Sequence, residues 1–281
     1  MTLWLLLAGL GILGAHAGQE IRRFERCAAA EIAARLEGDE KQVTVKVKLN
    51  GIVRGLGGSL NAAEIVARRF SVDSLPLFTE PERTTRGEIK ELRLRLYDFT
   101  LRGLHFEELR ADIADCRYDL GLARREKQFR LSRSGVGPGY ARINEAALEQ
   151  FILRKYAEIK SVSVRLTKHK VFVEGRGEFL LFKADFYVIA TLEPRNGVEL
   201  RLENAVVFLD GHRVRDGSER ALLEALNPVI DLDRDLGLHG AIKVSEVKIG
   251  EGVLEVLGEA TIPPLPKAGP RTGEAVAAGR G

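Results

Sequence analysis

Three aspartates at alternate positions, Asp231, Asp233 and Asp235, have the type and spacing that could bind a metal ion. An EF-hand calcium loop takes oxygen ligands at positions 1, 3 and 5, a glycine at position 6 and a glutamate at position 12. Counted from Asp231, position 6 is Leu236 and position 12 is Ile242, so only the opening of the pattern fits. The sequence therefore predicts no calcium site in this segment.

The end of a helix explains the same segment better. Asp216 and Glu219 form a capping-box pattern, and the apolar residues of ERALLEAL follow at helical spacing. Asn227-Pro228 ends the helix, because a residue that precedes proline avoids the helical region. We predict a helix over 217–226 and an exit loop in which the three aspartates are solvated.

No catalytic motif accompanies these residues. None of the five histidines stands in an H-E-x-x-H frame, and neither cysteine has a papain-like context. Carboxylates alternate with basic residues, which is typical of solvated sheet faces. The sequence predicts a protein that is not an enzyme and that requires no metal or cofactor.

Charge and composition exclude further classes. Lys and Arg number 43 against 40 Asp and Glu in 281 residues, so no strong positive field would attract nucleic acid. Hydrophobic residues make up 45% and charged residues 30% of the chain, which is typical of a globular protein. We expect no nucleic-acid partner, and the oligomeric state is left open.

The N-terminus carries an apolar segment followed by the cleavage-like triplet Ala15-His16-Ala17. We interpret residues 1–17 as an export signal, with an uncleaved membrane anchor as the alternative, and we expect a periplasmic or cell-envelope protein. Cys27 and Cys116 could pair in such an oxidising compartment, but buried free thiols are favoured.

Two amphipathic helices are expected to position the core. Residues 19–38 place apolar side chains at helical spacing, and residues 144–156 do the same behind Asn144, a good N-cap. We interpret 61–78 as a short helix that leads into a loop, and SGVGPGY (134–140) as a hairpin turn.

Strands are expected to fill most of the remaining chain. Residues 43–50 alternate apolar and polar, strands run through 161–209 with a hairpin turn at 195–197, and a hairpin closes the fold near 241–262. In 89–104 and 109–122 the alternation slips by one residue, which predicts β-bulges and a strongly curved antiparallel sheet. We predict one α+β domain over 18–262 and a disordered tail over 263–281.

The segment FLLFKADFYVIATL (179–192) is apolar on both faces. One face carries every second residue of the segment, and the other carries Phe179, Leu181, Tyr187 and Ile189. We interpret the strand as buried on both sides for part of its length. Either a helix packs over the outer face, or one face lines an apolar cavity.

The order of these elements, with INEAALEQFI in the middle and ALNPVIDLDRDLGLHGAIKVSEVKIGEGVLEVLGEA near the end, resembles the LmeA-like family of bacterial phospholipid-binding proteins. The resemblance extends over about residues 20–262. It implies a tubular lipid-binding (TULIP-type) fold, in which a highly curved antiparallel sheet wraps amphipathic helices and leaves an apolar groove for acyl chains.

The resemblance implies a phospholipid ligand, possibly anionic, and contact with a membrane surface. The residues that we assign to the acyl chains are Leu180, Phe182, Ala184, Phe186, Val188, Ala190, Phe151 and Ile152. The basic residues that we assign to the headgroup are Arg124, Arg125, Lys127 and Arg130, with Arg133 nearby and Arg22, Arg23 and Arg26 as a second candidate group. The alternatives are a non-catalytic envelope protein that binds a peptide or partner domain and, third, an enzyme assembled in the groove.

Overall fold

The computed structural model describes residues 2–51, 57–75, 79, 86–126, 128–178, 183–215 and 217–264, with side chains from residue 18 onward except at residue 86. Four helices lie in these ranges: α1 (Thr2–Ala34), α2 (Leu120–Arg125), α3 (Glu145–Lys155) and α4 (Gly217–Leu226). The predicted helices at 144–156 and 217–226 are thereby confirmed to within a few residues at their ends, and the one at 19–38 is confirmed as the C-terminal part of α1, which begins at Thr2. The Asn144 side chain accepts the Ala147 N–H at 2.9 Å, as expected of the N-cap.

Fourteen strands in the described residues form two sheets. The large sheet has the order β1-β2-β3-β4-β6-β14-β13, with β5 paired to β4, and the small sheet has the order β11-β10-β9-β8-β7, with β12 paired to β10. The strands are β1 (Gln42–Leu49), β2 (Ser59–Val72), β3 (Arg86–Leu101), β4 (Leu104–Asp119), β5 (Leu131–Arg133), β6 (Val136–Asn144), β7 (Ile159–Thr167), β8 (Lys170–Glu178), β9 (Lys183–Arg195), β10 (Glu199–Leu209), β11 (His212–Val214), β12 (Ile230–Asp231), β13 (Ile242–Ile249) and β14 (Val253–Thr261). The fold is α+β.

The prediction of a helix over 61–78 is wrong for residues 61–72, which lie in strand β2. This strand pairs antiparallel with β1 and parallel with β3, so the large sheet is mixed rather than wholly antiparallel. Its Ala, Glu and Arg residues favour helix intrinsically. Hydrogen bonding to a strand on each side outweighs that preference, which is small for each residue.

The prediction of a hairpin turn in the Gly-rich segment 134–140 is also wrong, since residues 136–140 lie in strand β6. At Gly137 a Cβ atom would stand only 1.7 Å from the Asp112 carbonyl oxygen. Glycine is therefore needed for the close approach of two backbones and not for a turn. The predicted turn at 195–197 is confirmed, with positive φ of 54° at Asn196 and 72° at Gly197.

The phase slips are confirmed, but not as bulges between β3 and β4. In β3 the buried residues shift from even to odd positions between Leu96 and Phe99. In β4 they shift from even to odd positions between Phe106 and Leu109. Leu96 pairs with Leu109 and Phe99 with Phe106, so the register between the two strands is unbroken. Neither strand gains an unpaired residue, because the alternation of buried residues shifts at paired positions in both strands.

A second coincident change lies at the other end of the same strands. The buried side moves from Ile113 to Cys116 in β4 and from Leu92 to Ile89 in β3, and these residues also pair with each other. Asp98 and Asp115, one at each level, have a φ of 51°. The paired shifts divide β3 and β4 into three stretches that differ in which alternate residues are buried.

A single cluster of buried side chains contains residues from both sheets, from α1, α3 and α4, and from the loop after α4. Helix α3 contacts β7 of the small sheet as well as β4 and β6 of the large sheet. The domain boundaries at 18 and 262 remain predictions.

Residues 2–17 belong to the same helix as residues 18–34. Among the helices of the described residues, none combines the length and the apolar composition that a membrane crossing requires. The predicted cleavage after Ala17 and the export of the chain remain expectations.

Candidate functional site

An apolar cavity lies between the C-terminal part of α1 and one face of the large sheet. Its volume is about 110 Å³, within about 940 Å³ of atom-free space that includes its opening to solvent. Helix α1 and the turn after it contribute Ile32 and Leu36. Among the described residues that line it, only Thr261 has a polar side chain, so this lining suits an apolar ligand and offers it almost no hydrogen bonds.

The floor of the cavity is the middle stretch of β3 and β4, between the two coincident changes of face. Its side chains form three cross-strand pairs: Leu92 with Ile113, Leu94 with Ala111, and Leu96 with Leu109. Beyond each end of this stretch the strands present a different set of side chains. The same shifts that the sequence shows as broken alternation therefore set the length of the apolar floor.

The cavity coincides with a gap between two clusters of packed side chains. Its walls combine Phe70 and Leu238 from the main cluster with Phe129 and Ala260 from a smaller one. Protein interiors normally pack without voids larger than a water molecule. A gap of this size between two well-packed clusters is therefore a feature of the site.

Helix α1 covers the cavity and is held to the sheet by two carboxylates. Glu25 accepts the Val47 N–H of β1 at 2.9 Å, and Glu31 accepts the Phe129 N–H at 3.2 Å. Glu31 also forms an ion pair with Arg130, whose side chain is 7% exposed. These polar contacts hold α1 over the cavity, and the Glu31–Arg130 pair is well shielded from water.

The acyl-chain residues predicted from sequence lie elsewhere. Phe186, Val188 and Ala190 are buried on the inner face of β9, in the main cluster with Phe151 and Ile152 of α3, and Ala184 is buried on the same face of the strand. Ile152 lines a separate apolar cavity of about 20 Å³, which is too small for a lipid chain. Leu180 and Phe182 lie outside the described residues. The role of this set in lipid binding remains a prediction.

The interpretation of 179–192 as a strand buried on both sides is wrong for the part within β9. Tyr187 and Ile189 on its outer face are half-buried, whereas the inner face is buried throughout from Ala184 to Leu192. The Tyr187 ring packs between the rings of Phe172 and Phe208, at centroid distances of 6.4 and 5.9 Å. Aromatic neighbours on the sheet surface account for the apolar outer residues.

The predicted headgroup residues are dispersed around α2 and β5. Arg124 and Arg125 are exposed in the last turn of α2, and Arg133 is exposed in β5. Arg130 is buried, and its guanidinium donates to Glu31 and to the Phe129 carbonyl. Lys127 lies outside the described residues. The headgroup role of these residues remains a prediction.

The aspartate loop (residues 231–240) is not the solvated exit loop that the sequence predicted. Asp231 accepts the Arg234 N–H at 2.9 Å, Asp233 accepts the Gly240 N–H at 2.8 Å, and Asp235 accepts the Asp231 N–H at 2.8 Å. Asp235 also pairs with Lys155 at 2.6 Å. The three carboxylates fold the loop on itself, because they satisfy backbone donors that no strand or helix satisfies.

Lys155 connects the aspartate loop to α3. Its Nζ donates to the carbonyls of Pro228 and Val229 at 2.7 and 3.2 Å as well as to Asp235. Burial lowers the pKa of Lys155, and the Asp235 carboxylate opposes that shift. Within the described residues, no group of three or more His, Cys, Asp or Glu side chains is placed to hold a metal ion.

An α+β fold with a helix-covered apolar cavity offers a space that suits an apolar ligand. A family model described as LmeA-like phospholipid-binding matches residues 24–259, so the chain belongs to that family, and the resemblance seen in the sequence is confirmed. The family supports lipid binding in general. No curated protein and no solved structure matches the chain.

Proposed function

We propose that this protein binds a phospholipid by enclosing part of an acyl chain in the cavity between α1 and the large sheet. The observation that carries the proposal is the almost wholly apolar lining of that cavity in a member of a phospholipid-binding family. Each methylene removed from water contributes about 0.8 kcal/mol, so a chain of about 16 carbons offers roughly 10 kcal/mol before ordering costs. Burial of the chain, and not bond chemistry, is the proposed mechanism.

The size of the cavity limits how the lipid enters. An apolar cavity of about 150 Å³ holds a benzene molecule, so 110 Å³ holds only a few methylenes. A whole chain requires α1 to move outward from the sheet. In the proposed tubular fold the sheet would wrap around the chain and α1 would close over it, with Glu25 and Glu31 restoring their contacts.

We further propose that the protein is exported and works at a membrane surface of the cell envelope. Arg22, Arg23 and Arg26 are exposed on α1 directly after the apolar N-terminal segment, where they would meet anionic headgroups. Anionic vesicles should therefore bind the protein better than neutral ones, and moderate salt should reduce the difference, since charges are screened over about 8 Å at physiological ionic strength.

The test is to purify the full chain, extract what accompanies it and identify the extract by mass spectrometry. Stoichiometric phospholipid would support the proposal. A retained peptide would favour the interaction protein, and hydrolysed lipid would favour an enzyme. Recovery of neither lipid nor peptide, followed by failure to take up labelled phospholipid from vesicles, would contradict lipid binding.

A further inference from the structure

Arg102 lies at one end of the cavity, in the turn between β3 and β4. Its Nε donates to the Asp73 carbonyl at 2.7 Å, two residues before the lining residue Leu75. Its guanidinium lies against Gly237, one residue before the lining residue Leu238. Arg102 thus bridges the two chain segments that form this end of the cavity.

The guanidinium has donors to spare. Arg102 is exposed, and in the part of the chain that the structure describes its Nη1 and Nη2 atoms have no hydrogen-bond acceptor. Gly237 makes room for the group: its φ is 67°, and a Cβ there would stand 2.7 to 2.9 Å from the guanidinium atoms. A planar group with two parallel donors fits the oxygens of a phosphate.

A second arginine strengthens the positive charge at this turn. Arg154, exposed at the end of α3, covers Gly103 so closely that a Cβ there would collide with its guanidinium. By contrast, Arg130 at the other end of the cavity already donates to Glu31, Phe129 and Gln128. Of Arg102 and Arg130, Arg102 is therefore the one that keeps donors for a ligand beside the apolar lining.

We propose that Arg102 binds the phosphate of the phospholipid whose acyl chain occupies the cavity. The inference rests on the proposed function and adds to it the residue that recognises the headgroup and the end of the cavity at which the headgroup lies. The phosphate would sit outside Leu75 and Leu238, where it remains hydrated on one side, while the chain runs inward along the floor.

The test compares Arg102→Gln with the wild type for two fluorescent ligands offered in neutral vesicles: a labelled phosphatidylglycerol and the matching labelled diacylglycerol, which lacks the phosphate. Glutamine can still donate to the Asp73 carbonyl but removes the charge. Because a charge-assisted hydrogen bond is lost, phosphatidylglycerol should bind about tenfold more weakly. Diacylglycerol binding and the urea midpoint should stay unchanged.

Arg213→Gln is the matched control, since Arg213 is an exposed arginine of the small sheet, which contributes no cavity residue. An equal loss for both ligands would overturn the proposal, because Arg102 would then only shape the cavity. No loss for either ligand would overturn it while the cavity proposal stands. A wild type that binds neither ligand would refute the proposed function itself. Displacement of phosphatidylglycerol by millimolar inorganic phosphate would identify the free anion as the ligand of Arg102, and so overturn the headgroup assignment.

Discussion

Filling the cavity should weaken lipid uptake without unfolding the protein. Ala111 is the best position for a larger side chain, because it lies on the cavity floor opposite Leu94 on β3 and Gly139 on β6. Ala111→Phe adds one phenyl ring. Benzene occupies a cavity of about 150 Å³, so the added ring would fill the 110 Å³ available and extend into its opening.

The expected magnitudes follow from that fit. The free energy of unfolding should stay within about 1 kcal/mol of the wild type, because the ring enters existing space and does not force the core apart. The ring takes the place of about five methylenes of a bound chain, worth up to about 4 kcal/mol. The chain can shift to recover part of this, so we expect uptake to weaken by at least tenfold.

Ala190→Phe is the matched control, because Ala190 is a fully buried alanine in a strand of the small sheet. Among the described residues, the cavity lined by its pairing partner Val171 holds only about 20 Å³, which is too small for a ring. Overpacking should therefore cost about 1 to 3 kcal/mol or more. The assay is a urea midpoint for each variant beside its uptake of a fluorescent phospholipid. If Ala111→Phe loses as much stability as Ala190→Phe, or keeps full uptake, the assignment of the cavity as the lipid site is refuted.

Three further results are expected. Glu31→Gln leaves Arg130 buried without its carboxylate and should lower the free energy of unfolding in urea by about 3 kcal/mol. Adding Arg130→Met to the same chain should recover much of that loss. A loss below about 1 kcal/mol would show that the pair does not hold α1. Burial raises the pKa of the Cys116 thiol to about 12, whereas Cys27 is partly exposed, so iodoacetamide at pH 8 should modify Cys27 alone until urea is added; equal modification in the native protein would contradict this. The carboxylates of the aspartate loop already accept backbone donors, so calorimetry should find no calcium binding tighter than about 1 mM; tighter binding would mean that they turn outward.

Elements whose cause is local could be predicted from the sequence. The cap at Asn144, the turn at 195–197 and the helix stop before Pro228 each depend on a few neighbouring residues. The broken alternation in β3 and β4 was visible for the same reason, since side-chain direction in a strand is fixed by the residue count.

Features that depend on a partner strand were missed. Residues 61–72 were predicted as helix from their own sequence, and only the pairing of β2 with β1 and β3 makes them a strand. Gly137 resembles a turn residue until the backbone of β4 is placed against it. The sequence showed that the apolar alternation breaks in both β3 and β4. It did not show that the breaks lie at paired positions, so that the two strands stay in register.

By itself the sequence determined the α+β class, through the period of its apolar residues, and the family, through a resemblance in the order of its elements. Only the tertiary structure decided where the candidate cavity lies and which cations face it. Phe186 and Ala111 are both apolar strand residues, and nothing in their own segments shows that one meets packed neighbours and the other an open space. Likewise Arg130 and Arg102 differ only in what surrounds them. Packing is a property of several segments at once, so a cavity and its mouth exist only after those segments have come together.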